Sequence, residues 1–222
     1  MHTQRRLGLL LISVLAGGVL QGAAAGEEVK PTIHSMAPES SHDIPPVQVS
    51  GVGPWVRYAQ PRASFDFTFE YPQNWIAGLE EGRQQPYAQA VILGPRNAAD
   101  SYSAGLTIRR QPVKALGGLY ESVEALRRSR RAQYAAAHDV EIISEGEQPL
   151  GKITAWRMEL SYTVPLPSHS AEATPTRIRL LLVQFAVFEQ LYELSFSADA
   201  SEYLTYRHVF DHLLASLRFT TP

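Results

Sequence analysis

The stretch FDFTFEYPQNW, residues 65–75, places an aromatic residue at every second position and then interrupts the pattern with a proline. The aromatic residues of this pattern are Phe65, Phe67, Phe69 and Tyr71. In an extended chain they point to one side, so the period of two predicts a β-strand with one buried face. Pro72 cannot donate a hydrogen bond to a neighbouring strand. We therefore expect the strand to end at Pro72 and Trp75 to begin the return.

Length, composition and net charge limit the class of protein to which this chain can belong. The 222 residues are enough for one folded domain with appendages, and 45% of them are hydrophobic, an ordinary share for a globular chain. The formal net charge is −2. This near balance argues against a nucleic-acid-binding protein, which would carry a basic surplus.

The N-terminus predicts export. Arg5 and Arg6 precede the apolar run LGLLLISVLAGGVL, and three alanines follow at 23–25. This order is typical of a signal peptide, here residues 1–25, cleaved after Ala25. An uncleaved anchor is the alternative, although the run is short and interrupted by glycine. The chain has no cysteine, so the mature protein has neither a disulfide nor a cysteine-linked lipid. We expect it to be free in the periplasm, in a lumen or in the medium.

Residues 26–54 are rich in proline and poor in large apolar side chains. Such a segment cannot bury enough surface to offset its ordering entropy, so it predicts a flexible tether. Trp55 opens the first apolar segment after it, which we expect to pack at the edge of a domain spanning residues 55–222.

Alternation and helical spacing predict the remaining elements. After the opening strand, the predicted strands cover residues 75–79, 88–93, 104–109, 140–144, 153–163, 177–188 and 191–198. The predicted helices cover residues 118–137, with Leu119 on the apolar stripe, and 201–217, with Ser201 as N-cap. Residues 164–176 are predicted to form a long loop, either functional or a tolerated insertion. Short connections favour antiparallel pairing, so the fold class is α+β with helices covering an antiparallel sheet.

Two segments resemble the PsbP family. The pattern Phe67-x-x-x-Tyr71-Pro72-x-x-Trp75 is similar to the family's first-strand signature. The segment 192–198, a helix with Tyr203 and Phe210, and the closing segment 216–219 are similar to the family's C-terminal part. The resemblance covers about residues 65–219.

The resemblance implies a Mog1/PsbP-like α/β/α sandwich. Plant and cyanobacterial members are extrinsic proteins on the lumenal side of photosystem II, connected with retention of the ions of its manganese–calcium cluster. Other bacterial members are exported. The tether and the 164–176 loop depart from the family pattern, and no family metal ligand corresponds to a particular residue of this sequence.

His208 and His212 stand four residues apart on the last predicted helix, a spacing at which two imidazoles can share one face and bind a metal such as zinc. Asp211 is adjacent. Because both histidines lie opposite the predicted apolar face, we expect them to face solvent. Because no third ligand is evident, the alternative is that the two histidines are ordinary surface residues that bind no metal.

Arginines crowd the middle of the first predicted helix, namely Arg127, Arg128, Arg130 and Arg131. Arg127, Arg128 and Arg131 could bind an anion or an acidic protein partner, or could simply form a solvated face. Arg130 falls within the apolar stripe and is the exception. We predict Trp75 and Trp156 to be core residues.

No catalytic signature is present, whether a G-x-S-x-G elbow, an H-E-x-x-H pair, a phosphate-binding glycine loop or a cysteine nucleophile. The sequence therefore favours a non-enzymatic exported interaction domain that docks on a larger membrane-associated or periplasmic assembly through a protein partner. The alternative is a carrier of a small ligand or of a divalent ion (zinc, manganese or calcium). A hydrolase whose residues meet only in three dimensions is a third hypothesis.

Overall fold

The computed structural model describes residues 52–58, 65, 67–81, 87–137, 139–167 and 171–219. The predicted signal peptide and the tether up to residue 51 lie outside the described residues. Within the described part, neither helix has the length and hydropathy to span a bilayer.

The structure is an antiparallel α+β fold. Its strands are β1 (Trp55–Arg57), β2 (Phe67–Thr68), β3 (Glu70–Pro72), β4 (Ile76–Glu81), β5 (Ala88–Arg96), β6 (Ser103–Pro112), β7 (Glu141–Leu150), β8 (Ile153–Leu166), β9 (Thr174–Val187), β10 (Gln190–Asp199) and β11 (Arg218–Phe219). The helices are α1 (Val123–Ala135) and α2 (Tyr203–Ser216), and a 3₁₀ turn spans Lys114–Leu116. Seven strands form the main sheet in the order β4-β5-β6-β10-β9-β8-β7.

The two helices cover opposite faces of this sheet. Side chains alternate along β10, so Glu193 and Phe196 point to different faces. Glu193 contacts Arg130 of α1, whereas the ring of Phe196 stacks with Phe210 of α2 at 6.2 Å between centroids. The predicted α/β/α arrangement around an antiparallel sheet is confirmed.

The opening aromatic stretch is not one strand, which corrects the prediction. It divides at Phe69 into β2, paired with β11, and β3, paired with β1, and neither strand joins the main sheet. The Phe69 carbonyl accepts a hydrogen bond from the Tyr58 N–H, and the Glu70 N–H donates to Ser216 Oγ of α2. The segment therefore crosses between two small sheets against α2, because its rings fill the space beside that helix.

The rings of the opening segment and the apolar face of α2 share one interior. The residues of this common core include Phe65, Phe67, Phe69, Tyr203, Phe210, Leu213 and Leu217. The ring centroids of Phe67 and of Tyr192 in β10 are 5.0 Å apart. Trp75 is buried and meets Tyr206 edge-on. The aromatic pattern thus identified the core correctly.

The end of the predicted tether belongs to the folded part. The Gly53 N–H donates to Asn74 Oδ1 at 2.8 Å, and the Pro54 carbonyl accepts from the Gln73 N–H. Trp55 in β1 pairs with Pro72, so this segment packs at the domain edge as predicted.

The predicted loop at 164–176 is shortened at both ends by strand. β8 and β9 stay in register as far as Leu166 opposite Thr174, which leaves a connection at 167–173. The bounds of the predicted loop were therefore too wide, because its prolines and small polar residues suggested a turn where both strands continue to the end of the hairpin.

Both helix starts differ from the prediction. α1 begins at Val123, where Ser122 Oγ accepts from the Ala125 N–H, so Leu119 precedes the helix and is exposed. α2 begins after Glu202. The Asp199 carboxylate accepts hydrogen bonds from the N–H and hydroxyl of Ser201, which forms a turn before the helix instead of capping it.

Candidate functional site

The structure separates the arginines of α1. The Arg127 guanidinium lies 5.4 Å from the centroid of the Trp156 ring, so its stem and charge cover that buried side chain. Arg131 forms a 2.9 Å ion pair with Glu145 of the edge strand β7. Arg128 is exposed. Partner binding by Arg127, Arg128 and Arg131 stays a prediction, but two of the three already have contacts within the domain.

Arg130, the exception in the sequence pattern, is buried against the sheet. Its Nε donates to Glu193 Oε2 at 2.7 Å, and its Nη1 donates to Gln133 Oε1. Arg109 of β6 donates to the other oxygen of Glu193 at 3.1 Å, and Gln184 of β9 donates to Oε2 at 2.7 Å. Glu193 is thus fixed from three elements, since α1, β6 and β9 all supply donors.

The electrostatics of this network fix Glu193 in its charged form. Burial raises the pKa of the Glu193 carboxyl, but the guanidinium groups of Arg130 and Arg109 outweigh burial and hold that pKa below its usual value. A carboxylate that stays ionised and accepts hydrogen bonds on both oxygens is a poor proton donor or base. Nearby, burial raises the pKa of Tyr102 to about 12, so that phenol stays protonated. We interpret the network as a tie between α1 and the sheet.

The predicted metal-binding histidines differ in their surroundings. His208 is exposed, as expected, but His212 is half-buried, which corrects the expectation that it faces solvent freely. The His212 ring stacks on Trp55 with 3.7 Å between centroids, and its Nε2 lies 2.9 Å from Glu70 Oε2. Among the residues that the structure describes, no group of three metal-ligating side chains forms. Metal binding by His208 and His212 stays a prediction.

An exposed apolar surface lies at one end of the main sheet, which we call the apolar tip and define by Leu116, Leu119 and Phe188. Each of these side chains is more than half exposed. The N–H of Val113, which opens the loop carrying the two leucines, donates to the carbonyl of Glu189 at 2.9 Å. That bond fixes the loop beside the β9–β10 turn.

The turn that presents Phe188 has an unusual backbone. Phe188 and Glu189 have φ angles of 50° and 60°. Asparagine and glycine favour this left-handed region, whereas a bulky aromatic residue there is strained. Strain of this kind concentrates at functional sites. No predicted site included this surface, although Phe-Glu at the tip of a hairpin, where Asn-Gly would be favoured, was an available signal in the sequence.

An open groove of about 450 Å³ lies between the β7–β8 turn and the C-terminal end of α2. Its lining includes Leu150, Ile153, Leu214 and Phe219, with Lys152 and Arg218 at its polar positions. This groove is a candidate position for a small ligand of mixed apolar and anionic character.

Comparison with known proteins gives structural neighbours alone. No protein-family model matches the sequence. No curated protein matches it. One solved structure similar to this chain is cyanobacterial PsbP from Synechocystis, with a TM-score of 0.46, 13% identity, and coverage of 81% of this chain and 98% of that one.

Two further neighbours are bacterial. LpqN of Mycobacterium tuberculosis, a protein involved in cell envelope biogenesis, has a TM-score of 0.46 and 13% identity over 70% of this chain and 83% of that one. A Bacteroides thetaiotaomicron protein has a TM-score of 0.45 and 13% identity over 74% of this chain and 48% of that one. The chain is thus a mixed α+β protein with a large antiparallel sheet and two helices, and cyanobacterial PsbP is among the solved structures similar to it.

Proposed function

We propose that this chain is an exported, non-enzymatic domain that docks on a larger protein assembly through the apolar tip. The observation that carries the proposal is the exposed Phe188 on a turn with two left-handed residues, beside the exposed Leu116 and Leu119. Because exposed apolar side chains at a strained turn cost stability without serving the domain's own core, a partner surface is the simplest reason for them.

The chemistry of this tip specifies the partner. Burying leucine and phenylalanine side chains lowers the free energy by about 25 cal/mol for each Å² of apolar surface removed from water. We therefore expect a protein partner with a complementary apolar pocket. A peripheral position on a membrane-associated or periplasmic assembly fits the predicted export.

The non-enzymatic part of the proposal is supported by the state of the buried carboxylate of Glu193. Glu193 is held ionised by Arg130 and Arg109 and has no free oxygen for proton transfer. Burial likewise raises the pKa values of Tyr134 and Tyr162, which favours their protonated, unreactive form.

The test is capture of partners from the exported fraction with the mature protein as bait. The variant Leu116→Asn/Leu119→Asn/Phe188→Asn removes the apolar tip, and Leu204→Asn replaces an exposed leucine of α2 as the matched control. We expect the wild type and Leu204→Asn to capture the same protein and the triple variant to lose it. Recovery of the bait alone, or equal capture by all three proteins, would overturn the proposal. Mass spectrometry of the exported protein checks cleavage near Ala25.

The alternative carrier function has one structural candidate, the groove beside Lys152 and Arg218. Calorimetry with small amphipathic carboxylates tests it, with Lys152→Gln as the variant. Equal heats for the wild type and the variant would exclude a role for this groove.

A further inference from the structure

A polar stripe runs along β8 and β9 on the face of the sheet that carries α2. Alternation places Arg157, Glu159 and Ser161 of β8 on this face, and Arg177 and Arg179 of β9 beside them. The apolar core lies next to this stripe, under α2 and the aromatic N-terminal segment. The stripe is therefore the part of that face on which the strands carry charged residues in place of apolar ones.

Glu159 is the centre of the stripe. Its carboxylate is buried and accepts hydrogen bonds from Arg157 Nη2 at 2.6 Å and from Arg179 Nε at 2.8 Å. Arg207, from α2, approaches the same carboxylate at 3.5 Å. We call Arg157, Glu159, Arg179 and Arg207 the Glu159 cluster.

Positive charge exceeds negative charge in the Glu159 cluster. Three guanidinium groups share one buried carboxylate, and the only further acidic contact described for them is the exposed Asp211, 3.1 Å from Arg207 Nε. Arg177 extends the stripe but pairs with Glu141 and Ser161. The cluster thus carries an uncompensated cationic charge next to solvent.

Donors in the cluster are still available. The side chains of Arg157, Arg179 and Arg207 are 31%, 28% and 21% exposed, so parts of all three reach water. Arg157 Nε is buried and has no hydrogen-bond partner among the described residues. A buried donor without a partner costs free energy, which an incoming acceptor would recover.

Tyr203 holds two of the guanidinium groups in place. The Arg179 group lies 4.5 Å and the Arg207 group 6.0 Å from the centroid of its ring. Tyr203 Oη also accepts a hydrogen bond from Arg207 Nη1 at 3.2 Å. Arginines that are already ordered lose less side-chain entropy when a ligand binds.

We propose that the Glu159 cluster binds a phosphate group. Planar guanidinium forks match the oxygens of a tetrahedral dianion, and two forks can donate to it at once. The negative charge of phosphate also compensates the excess positive charge of the cluster. The phosphate can come from free inorganic phosphate or from a phosphate ester on a lipid headgroup. This site is separate from the apolar tip and does not depend on the proposed docking function.

The test is titration of the mature protein with inorganic phosphate. Binding is measured by calorimetry and by the NMR signals of the arginine Nε–H groups. We expect saturable binding that weakens as ionic strength rises, with the Arg157 Nε–H signal shifting. Arg157→Gln should bind about tenfold more weakly, which corresponds to about 1.4 kcal/mol, because a charge-assisted hydrogen bond to the phosphate is lost. Arg96→Gln, which replaces an exposed arginine of β5 paired with Asp100, should bind as the wild type does.

Glu159→Gln gives the sharper result. Glu159 competes with phosphate for the same guanidinium groups, so its neutralisation should tighten phosphate binding, whereas a purely structural role would leave binding unchanged or lower. Vesicles containing phosphatidic acid, whose headgroup is a phosphate monoester, are compared with vesicles of phosphatidylcholine alone and distinguish a lipid phosphate from the free ion. Absence of phosphate and vesicle binding, or equal binding by the wild type and Arg157→Gln, would overturn the proposal. If a variant fails to fold, the wild-type Nε–H titration decides alone.

Discussion

The Nε of Arg130 lies 2.7 Å from Oε2 of Glu193, and this buried contact joins α1 to β10, the central strand of the main sheet. Few apolar residues of α1 are buried, namely Leu126 with the phenol ring of Tyr134. The charged contact therefore supplies much of what fixes the helix in position.

Substitution of Arg130 by alanine is expected to lower the free energy of unfolding by about 3 kcal/mol. Removing one partner of a buried ion pair leaves the other charge without compensation, at a cost of about 3–5 kcal/mol, and Arg109 and Gln184 reduce that cost here. Urea denaturation measures the change. Arg128→Ala, on the exposed side of the same helix, should change it by about 0.5 kcal/mol or less. A similar loss in both variants would contradict the role assigned to Arg130.

Stability is expected to decrease in acid because of Glu193. Its pKa in the folded protein lies below its unfolded value, about 4.3, so the unfolded chain binds more protons in this range. The contribution of Glu193 is therefore fully present above about pH 4.3 and is lost as pH falls through the folded pKa. The urea concentration at the midpoint of unfolding should fall less steeply with decreasing pH for Glu193→Gln than for the wild type.

The control for the pH experiment is Glu121→Gln, which replaces an exposed carboxylate paired with Lys114. This variant should keep the slope of the wild type. If Glu193→Gln keeps it as well, the Arg–Glu network does not govern acid stability.

Gly94 and Gly146 form a matched pair of strand glycines. A Cβ at Gly94 would stand 2.5 Å from Cε2 of the buried Trp75, whereas a Cβ at Gly146 meets nothing within 4 Å. Gly94→Ala should lower stability by about 1–3 kcal/mol through overpacking and should change tryptophan fluorescence. Gly146→Ala should be neutral or slightly stabilising. Equal thermal midpoints for the two variants would show that Trp75 moves freely.

Replacing the β9–β10 turn separates stability from docking. Phe188→Asn combined with Glu189→Gly installs the pair that favours positive φ at both positions, so stability should rise by about 1 kcal/mol. Capture of the partner should be lost because the exposed ring is gone. A thermal melt and the capture experiment measure the two effects. A variant that is both more stable and fully able to capture the partner would remove Phe188 from the docking surface.

Calorimetry decides the prediction of a metal site. Zinc is expected to give weak heat that disappears in His208→Ala and in His212→Ala, because imidazole nitrogens are zinc ligands and the Glu70 carboxylate competes for His212. Manganese and calcium prefer oxygen ligands and should give none. No heat with any of the three ions would show that the histidine prediction was wrong.

The sequence by itself determined the core and the fold class. Aromatic alternation at 65–71 and helical spacing at 203–217 identified side chains that meet in one interior, because burial depends on local periodicity, which a single segment records. The sequence also placed Arg130 within an apolar stripe and so marked it as exceptional.

Only the tertiary structure decided the partners of the polar residues. Glu193 lies 63 residues from Arg130 along the chain, and Glu159 lies 48 residues from Arg207. Such pairs form where separate strands and helices converge, and no local pattern specifies them. The same reason explains why the opening stretch splits into β2 and β3, since its pairing depends on β1 and β11, which arrive from other parts of the chain.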